Sequence, residues 1–217
     1  MDFTYTLSEV EEKMQQFADK NGSDYFQLPE LMNHFRTATL EFVGEKLRSM
    51  ERTQEVVDDI RPLIVPGKLA VIADPDDTDR YIAALPLKYM RLVSYDIIYE
   101  DGSKCRRADL KTQAQYTSAV LNPNQRPTKH YPIILQENGL FQIDCGTTVA
   151  SFMKIVYCKK PSFAKVTEPE RRIVNLPDEA IENIILSTVM GLYGKTADER
   201  VQISNQFEQM FRKVNQS

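Results

Sequence analysis

Apolar spacing changes character twice along the chain, and this double change constrains the fold more than any other feature. Both ends carry apolar residues at the three-to-four-residue spacing of an amphipathic helix, and the middle carries short β-branched and aromatic runs split by turn dipeptides. Thr6-Leu-Ser-Glu9 has the form of a capping box, in which the Thr oxygen takes an amide of the first turn and the Glu reaches back. Leu7, Val10, Met14 and Phe17 follow on one helical face, and Asn21-Gly22 stops the run. Pro29 suits the first turn of a second, longer helix, whose face carries Leu31, Phe35, Phe42 and Ile60. Gly44 weakens that helix and Arg61-Pro62 ends it. Uninterrupted, it would run about 48 Å, long for a compact domain; a break near Arg52-Thr53, with Thr53 capping a new start, would shorten it.

From Leu63 the period becomes that of strands. Lys68–Ala73, Arg80–Ala84, Met90–Tyr99, Pro132–Leu135, Leu140–Ile143 and Ser151–Tyr157 all read as strands. Asp101-Gly102 and Asn138-Gly139 are hairpin signals, because both residue types tolerate positive φ. The stretch from Asp109 to Leu121 has room for a short helix, and Asn122–Pro127 reads as a loop. Helical spacing returns with Pro177-Asp178-Glu179 and the stripe Ile181, Ile184, Ile185, Thr188 and Leu192, closed by Gly194. Thr196-Ala-Asp-Glu199 is a second capping box, and Val201, Phe207, Met210, Phe211 and Val214 share a side of a final helix. The expected class is α+β, with N- and C-terminal helices framing a β-rich, antiparallel, hairpin-containing middle. The expected regions are 1–64, 65–170 and 171–217, with the last packing on the first in one compact unit.

Composition excludes several classes. Of 217 residues, 42% are apolar and 27% charged, as in an ordinary globular protein and unlike a disordered or collagen-like one. No apolar stretch reaches bilayer-spanning length, and the N-terminus lacks the basic and apolar regions of a signal peptide, so no membrane role is expected. Cys105, Cys145 and Cys158 are an odd, widely spaced set that reads as buried thiols in a reducing compartment. His34 and His130 are too few and too far apart for a histidine metal site. Gly194-Lys195-Thr196 resembles the end of a phosphate loop, but Val189 stands where a glycine is needed and a helix precedes it, so it reads as a helix cap. The aspartates of Asp74–Asp79 lack the glycine and glutamate of a calcium loop, and read as a solvated turn. No cofactor and no metal are expected.

Charge is unevenly distributed. Leu87 to Lys165 holds twelve basic and six acidic residues, a net +6, against −10 in the remainder, within an overall −4. Lys104, Arg106, Arg107, Lys159 and Lys160 are the candidate basic surface, facing phosphate or an acidic partner. Phe207, Met210 and Phe211, three large apolar residues within five positions of a terminal helix, are the candidate interface, with internal packing against the Ile181–Leu192 helix as the equal alternative.

Four stretches, in order, resemble one known family. They are Leu85-Pro-Leu-Lys-Tyr-Met-Arg-Leu-Val-Ser-Tyr95, Asn122-Pro-Asn-Gln-Arg-Pro-Thr-Lys-His-Tyr-Pro132, Met153-Lys-Ile-Val-Tyr-Cys-Lys-Lys-Pro161 and Leu176-Pro-Asp-Glu-Ala-Ile-Glu-Asn-Ile-Ile185, the last continuing to Asp198-Glu-Arg-Val-Gln. The family is the ring, or head-to-tail connector, proteins of crAss-like tailed bacteriophages of Bacteroidetes. The resemblance implies a virion structural protein without enzymatic activity or cofactor. It also implies a ring, commonly a dodecamer, attached to the portal protein or to other connector and tail proteins. DNA would then pass through the ring's channel and be held only non-specifically. Two other readings stay open: a small intracellular enzyme with a dispersed site around Asp96, Tyr99, His130 and Asp144, and a monomeric adaptor domain.

Overall fold

The computed structural model describes residues 5–20, 28–49, 58–77, 79–165, 167, 169 and 171–193. The chain divides into two compact units: Met1–Leu63 together with Pro161–Ser217, and Ile64–Lys160. The class is α+β, with helices toward both ends and mainly antiparallel sheets between them.

In the first unit, α1 (Leu7–Lys20) starts with the capping box that its sequence announces. The Glu9 amide donates to Thr6 Oγ1 at 3.3 Å and the Thr6 amide donates to the Glu9 carboxylate at 2.8 Å. α2 (Leu28–Ser49) and α4 (Asp178–Tyr193) are the long helices that join it among the described residues. Leu7, Val10 and Met14 of α1 are buried, as are Leu31, Phe35 and Val43 of α2 and Ile181, Ile184, Ile185 and Val189 of α4. Two hydroxyls share this core at no polar cost: Thr39 donates to the Phe35 carbonyl and Thr188 to the Ile184 carbonyl, each at 2.7 Å. The segment after Pro161 belongs here. Ala164 N–H donates to Ile173 O, Ile173 N–H to Tyr5 O, and Leu7 N–H to Arg171 O. The β-rich unit ends at Lys160, and the chain from Pro161 onward groups with the N-terminal helices in one compact unit. The expected break near Arg52-Thr53 and the stop at Asn21-Gly22 lie outside the described residues. So do Gly194, the second capping box and the final helix.

The second unit is a pair of sheets around one core. The first sheet has the order β1 (Ile64–Ala70), β8 (Ala150–Lys159), β4 (Tyr89–Tyr99). The second has the order β2 (Ile72–Ala73), β3 (Tyr81–Ala84), β7 (Leu140–Asp144), β6 (Ile133–Glu137), β5 (Asp109–Lys111). Ile97, Tyr99, Met153 and Ile155 of the first sheet meet Ala83, Ile134, Phe141 and Ile143 of the second. The Asn138-Gly139 turn joins β6 to β7 with φ of 49° and 78°, the pair of positive values that a type I′ turn demands. Gly102, at φ 77°, turns β4 back to a single bridge between Ile98 and Lys104.

β5 and β6 pair in parallel, so a crossover must join them, and α3 (Gln113–Leu121) supplies it. Thr112 caps α3 in a second true capping box with Gln115. Tyr116 and Ala119 of α3 pack on Ile133 and Leu135, while Ile134 between them faces the other sheet. β6 is therefore covered on both faces, which explains its unbroken Ile-Ile-Leu run.

Candidate functional site

The five basic candidates fall into two groups on the β-rich unit. Lys104 lies opposite Ile98 of β4, and Arg106 and Arg107 follow it, both donating their amides to the His130 carbonyl, at 3.0 and 3.1 Å. Lys159 lies opposite Tyr89, at the other end of β4, and the Lys160 amide donates to the Lys88 carbonyl at 2.7 Å. Nine residues of strand separate Lys104 from Lys159, about 30 Å at the usual rise of a strand. Lys104, Arg106, Arg107 and Lys160 are exposed and Lys159 is half-buried. Arg107 pairs with Asp109 at 3.2 Å, both well exposed, so the pair is strongly screened. The candidate basic surface is thus two patches.

Beside Arg107 an open groove of about 530 Å³ runs between β5 and α3. Arg107, Asp109, Leu110 and Lys111 line it from the strand side and Gln115 and Ser118 from the helix. β5 ends the strand order, so one side of its backbone meets no strand among the described residues. Leu110 is 47% exposed there. Sequence reading passed over this groove because a three-residue strand has no periodicity to detect. The Thr112-x-x-Gln115 cap was the signal that could have placed it.

The residues of the dispersed enzyme reading engage separate partners. The Tyr99 hydroxyl donates to the Lys129 carbonyl at 2.5 Å, and burial raises its pKa above the usual phenol range. Asp144 accepts the Tyr116 hydroxyl at 2.7 Å and the Gly146 amide at 3.0 Å, tying α3 to the end of β7. Arg80 lies over the Tyr116 ring at 4.5 Å and pairs with Asp77 at 3.0 Å. Asp96 lines a different groove with Lys68 and Lys154, and His130 is exposed. All three cysteines are buried. Burial pushes the Cys145 thiol up to about 12 and Cys158 to about 11, and raises Cys105 as well, so none is a ready thiolate near neutral pH. The aspartate run forms a turn closed by its own backbone: the Asp76 amide donates to Asp74 and the Asp79 amide to Asp77. Among the described residues, no three His, Cys, Asp or Glu side chains converge as a metal-binding group, and no helix is long and apolar enough to cross a membrane.

In the helical unit a small polar network is half-buried. Tyr5 donates to the Glu182 carboxylate at 2.6 Å and Lys13 donates to Tyr5 Oη at 2.5 Å, with its ammonium 4.4 Å from the ring centroid. Burial raises Glu182 and Tyr5 and lowers Lys13. The network joins α1 to α4. Phe207, Met210 and Phe211 lie outside the described residues.

Comparison with protein-family models matches none, and comparison with curated proteins finds no match.

Proposed function

We propose that this chain is a structural virion protein: the subunit of a ring in the head-to-tail connector of a tailed bacteriophage. In this reading it attaches to the portal protein or to a neighbouring ring, and DNA leaves the capsid through its channel. The observation that carries the reading is the pairing of two resemblance stretches. Leu85–Tyr95 leads into β4 and Met153–Pro161 ends β8, and the two strands are hydrogen-bonded partners, with Leu92 opposite Tyr157 and Tyr95 opposite Ile155. The third stretch, 122–132, is the link from α3 into β6, and the fourth opens α4. The stretches that carry the resemblance are thus paired strands and the links beside them, which supports a scaffold role.

The basic patches suit the same role. All but the half-buried Lys159 are exposed, they lie in two separate places on the unit, and at physiological ionic strength the Debye length is about 8 Å. A polyanion moving past such a surface is attracted weakly and read by no base-specific contact. The test is association with a portal protein of a crAss-like phage, followed by mass measurement of the mixture. A connector subunit shifts to a complex with the portal ring. A chain that stays monomeric both alone and with the portal contradicts the reading. The monomeric adaptor alternative predicts binding to the portal as isolated 25.0 kDa units without contact between copies.

A further inference from the structure

The β5 groove has a counterpart on the same sheet. β2 and β5 are the two ends of the five-strand order, about 19 Å apart if four strand spacings separate them. Arg107 and Lys111 line the β5 edge, with Arg106 exposed beside them; Asp109 is the one carboxylate among the groove's lining residues. At the β2 edge the turn to β3 carries Asp74, Asp76, Asp77 and Asp79. Asp77 is held by Arg80, while Asp76 and Asp79 are exposed. Each edge also exposes an apolar residue, Ile72 at 61% and Leu110 at 47%.

The strand register puts the two edges level. Ala73 pairs with Tyr81, Tyr81 with Ile143, Ile143 with Ile134, and Ile134 with Leu110, a single row across the sheet. The next row toward the turn runs from Asp74, whose amide donates to the Arg80 carbonyl, through Asp144 and Ile133 to Asp109. The acidic turn and the Arg107 end of the groove therefore lie at the same end of the strands.

We propose that the groove along β5 receives the acidic β2–β3 turn of a second copy of this chain. The occupant is set by charge complementarity between opposite edges of one sheet. Such a contact is heterologous, because each copy offers a turn on one side and a groove on the other. Both lie at the same end of the strands, so the contact can repeat side by side from copy to copy. Such a head-to-tail contact closes into a ring where the rotation between neighbours fits a whole number of copies. The inference rests on the connector reading and adds to it the faces by which copies meet.

Charge reversal tests it. Arg107→Glu with Lys111→Glu inverts the groove, and Asp76→Lys with Asp79→Lys inverts the turn. Asp76, Asp79 and Arg107 are exposed and Lys111 is half-buried, and circular dichroism melting checks that each variant folds. Mass is measured by sedimentation at low and physiological salt, alone and with the portal protein. The expected result is an assembled wild type, loss of assembly in either two-site variant, and its recovery when all four reversals are in one chain. A second measurement uses Asp76→Cys with Arg107→Cys: mild oxidation should yield a ladder of covalent oligomers on a non-reducing gel, absent from either single variant. If the wild type assembles but the reversals change nothing and no ladder forms, this inference is overturned and the connector reading stands. If the wild type stays monomeric with and without the portal, both fall.

Discussion

Replacing Gly139 by valine isolates the conformational demand of one turn. The β6–β7 loop has two residues, Asn138 at φ 49° and Gly139 at φ 78°. A Cβ at position 139 would meet no atom within 4 Å, so a substitution there causes no clash with neighbours. What remains is the cost of holding a residue with a Cβ in the left-handed region, about 1–2 kcal/mol, with the upper end applying to a β-branched side chain. The loop cannot escape by slipping its register. Ile134, Phe141 and Ile143 are fully buried, and a one-residue slip would turn the last two out of the core. Gly139→Val should therefore destabilise by about 2 kcal/mol. Gly139→Asn, which tolerates positive φ, should cost well under half as much. Urea denaturation followed by far-UV circular dichroism measures both. A valine variant within about 0.5 kcal/mol of wild type, the ordinary range of a surface substitution, would refute the argument. So would an asparagine variant as costly as valine.

Four other outcomes are expected. Gly44 lies inside α2 with no atom within 4 Å of a built Cβ, so Gly44→Ala should stabilise by about 0.5–1 kcal/mol in the same denaturation assay. A thiol reagent at pH 8 should find no fast-reacting cysteine in the native protein and three after unfolding, because all three are buried. Cys145 and Cys158 hold their protons more tightly folded than unfolded. Their contribution to stability is therefore complete below the ordinary thiol value of 9.0, and is lost as pH rises toward about 12, which a pH series of melting temperatures above 9 should register as a decline. Adding EDTA, or ATP with magnesium, should leave the melting temperature unchanged to within a degree or so of instrument scatter.

The parts of this fold that short-range chemistry determines were legible in the sequence. Thr6 and Glu9 cap α1 as their spacing requires, and Asn138-Gly139 makes the tight hairpin that its φ preferences allow. The helical stripe of α4 is buried at Ile181, Ile184, Ile185 and Thr188. Features set by long-range pairing were not legible. β1 begins at Ile64, earlier than Lys68, although it includes Pro66 and Gly67; it lies at the edge of its sheet, where a missing amide is tolerated. β5 is three residues long and exists because β6 lies beside it. The parallel β5–α3–β6 crossover therefore has no local signature beyond the Thr112 cap. The basic candidates were grouped by count along the chain, but β4 carries Lys104 and Lys159 to its opposite ends. The partner of the Arg107 edge, the aspartate turn 28 to 33 positions earlier in sequence, becomes visible only when strand register puts both at one end of the sheet.

The most direct test of the account is the mass of the purified chain in solution, measured by sedimentation across a range of concentration and salt. The account predicts a closed assembly, about 300 kDa for twelve copies of the 25.0 kDa chain, that dissociates as salt screens the edge charges. A single 25.0 kDa species at every concentration and salt, with the portal protein present as well as absent, would contradict it.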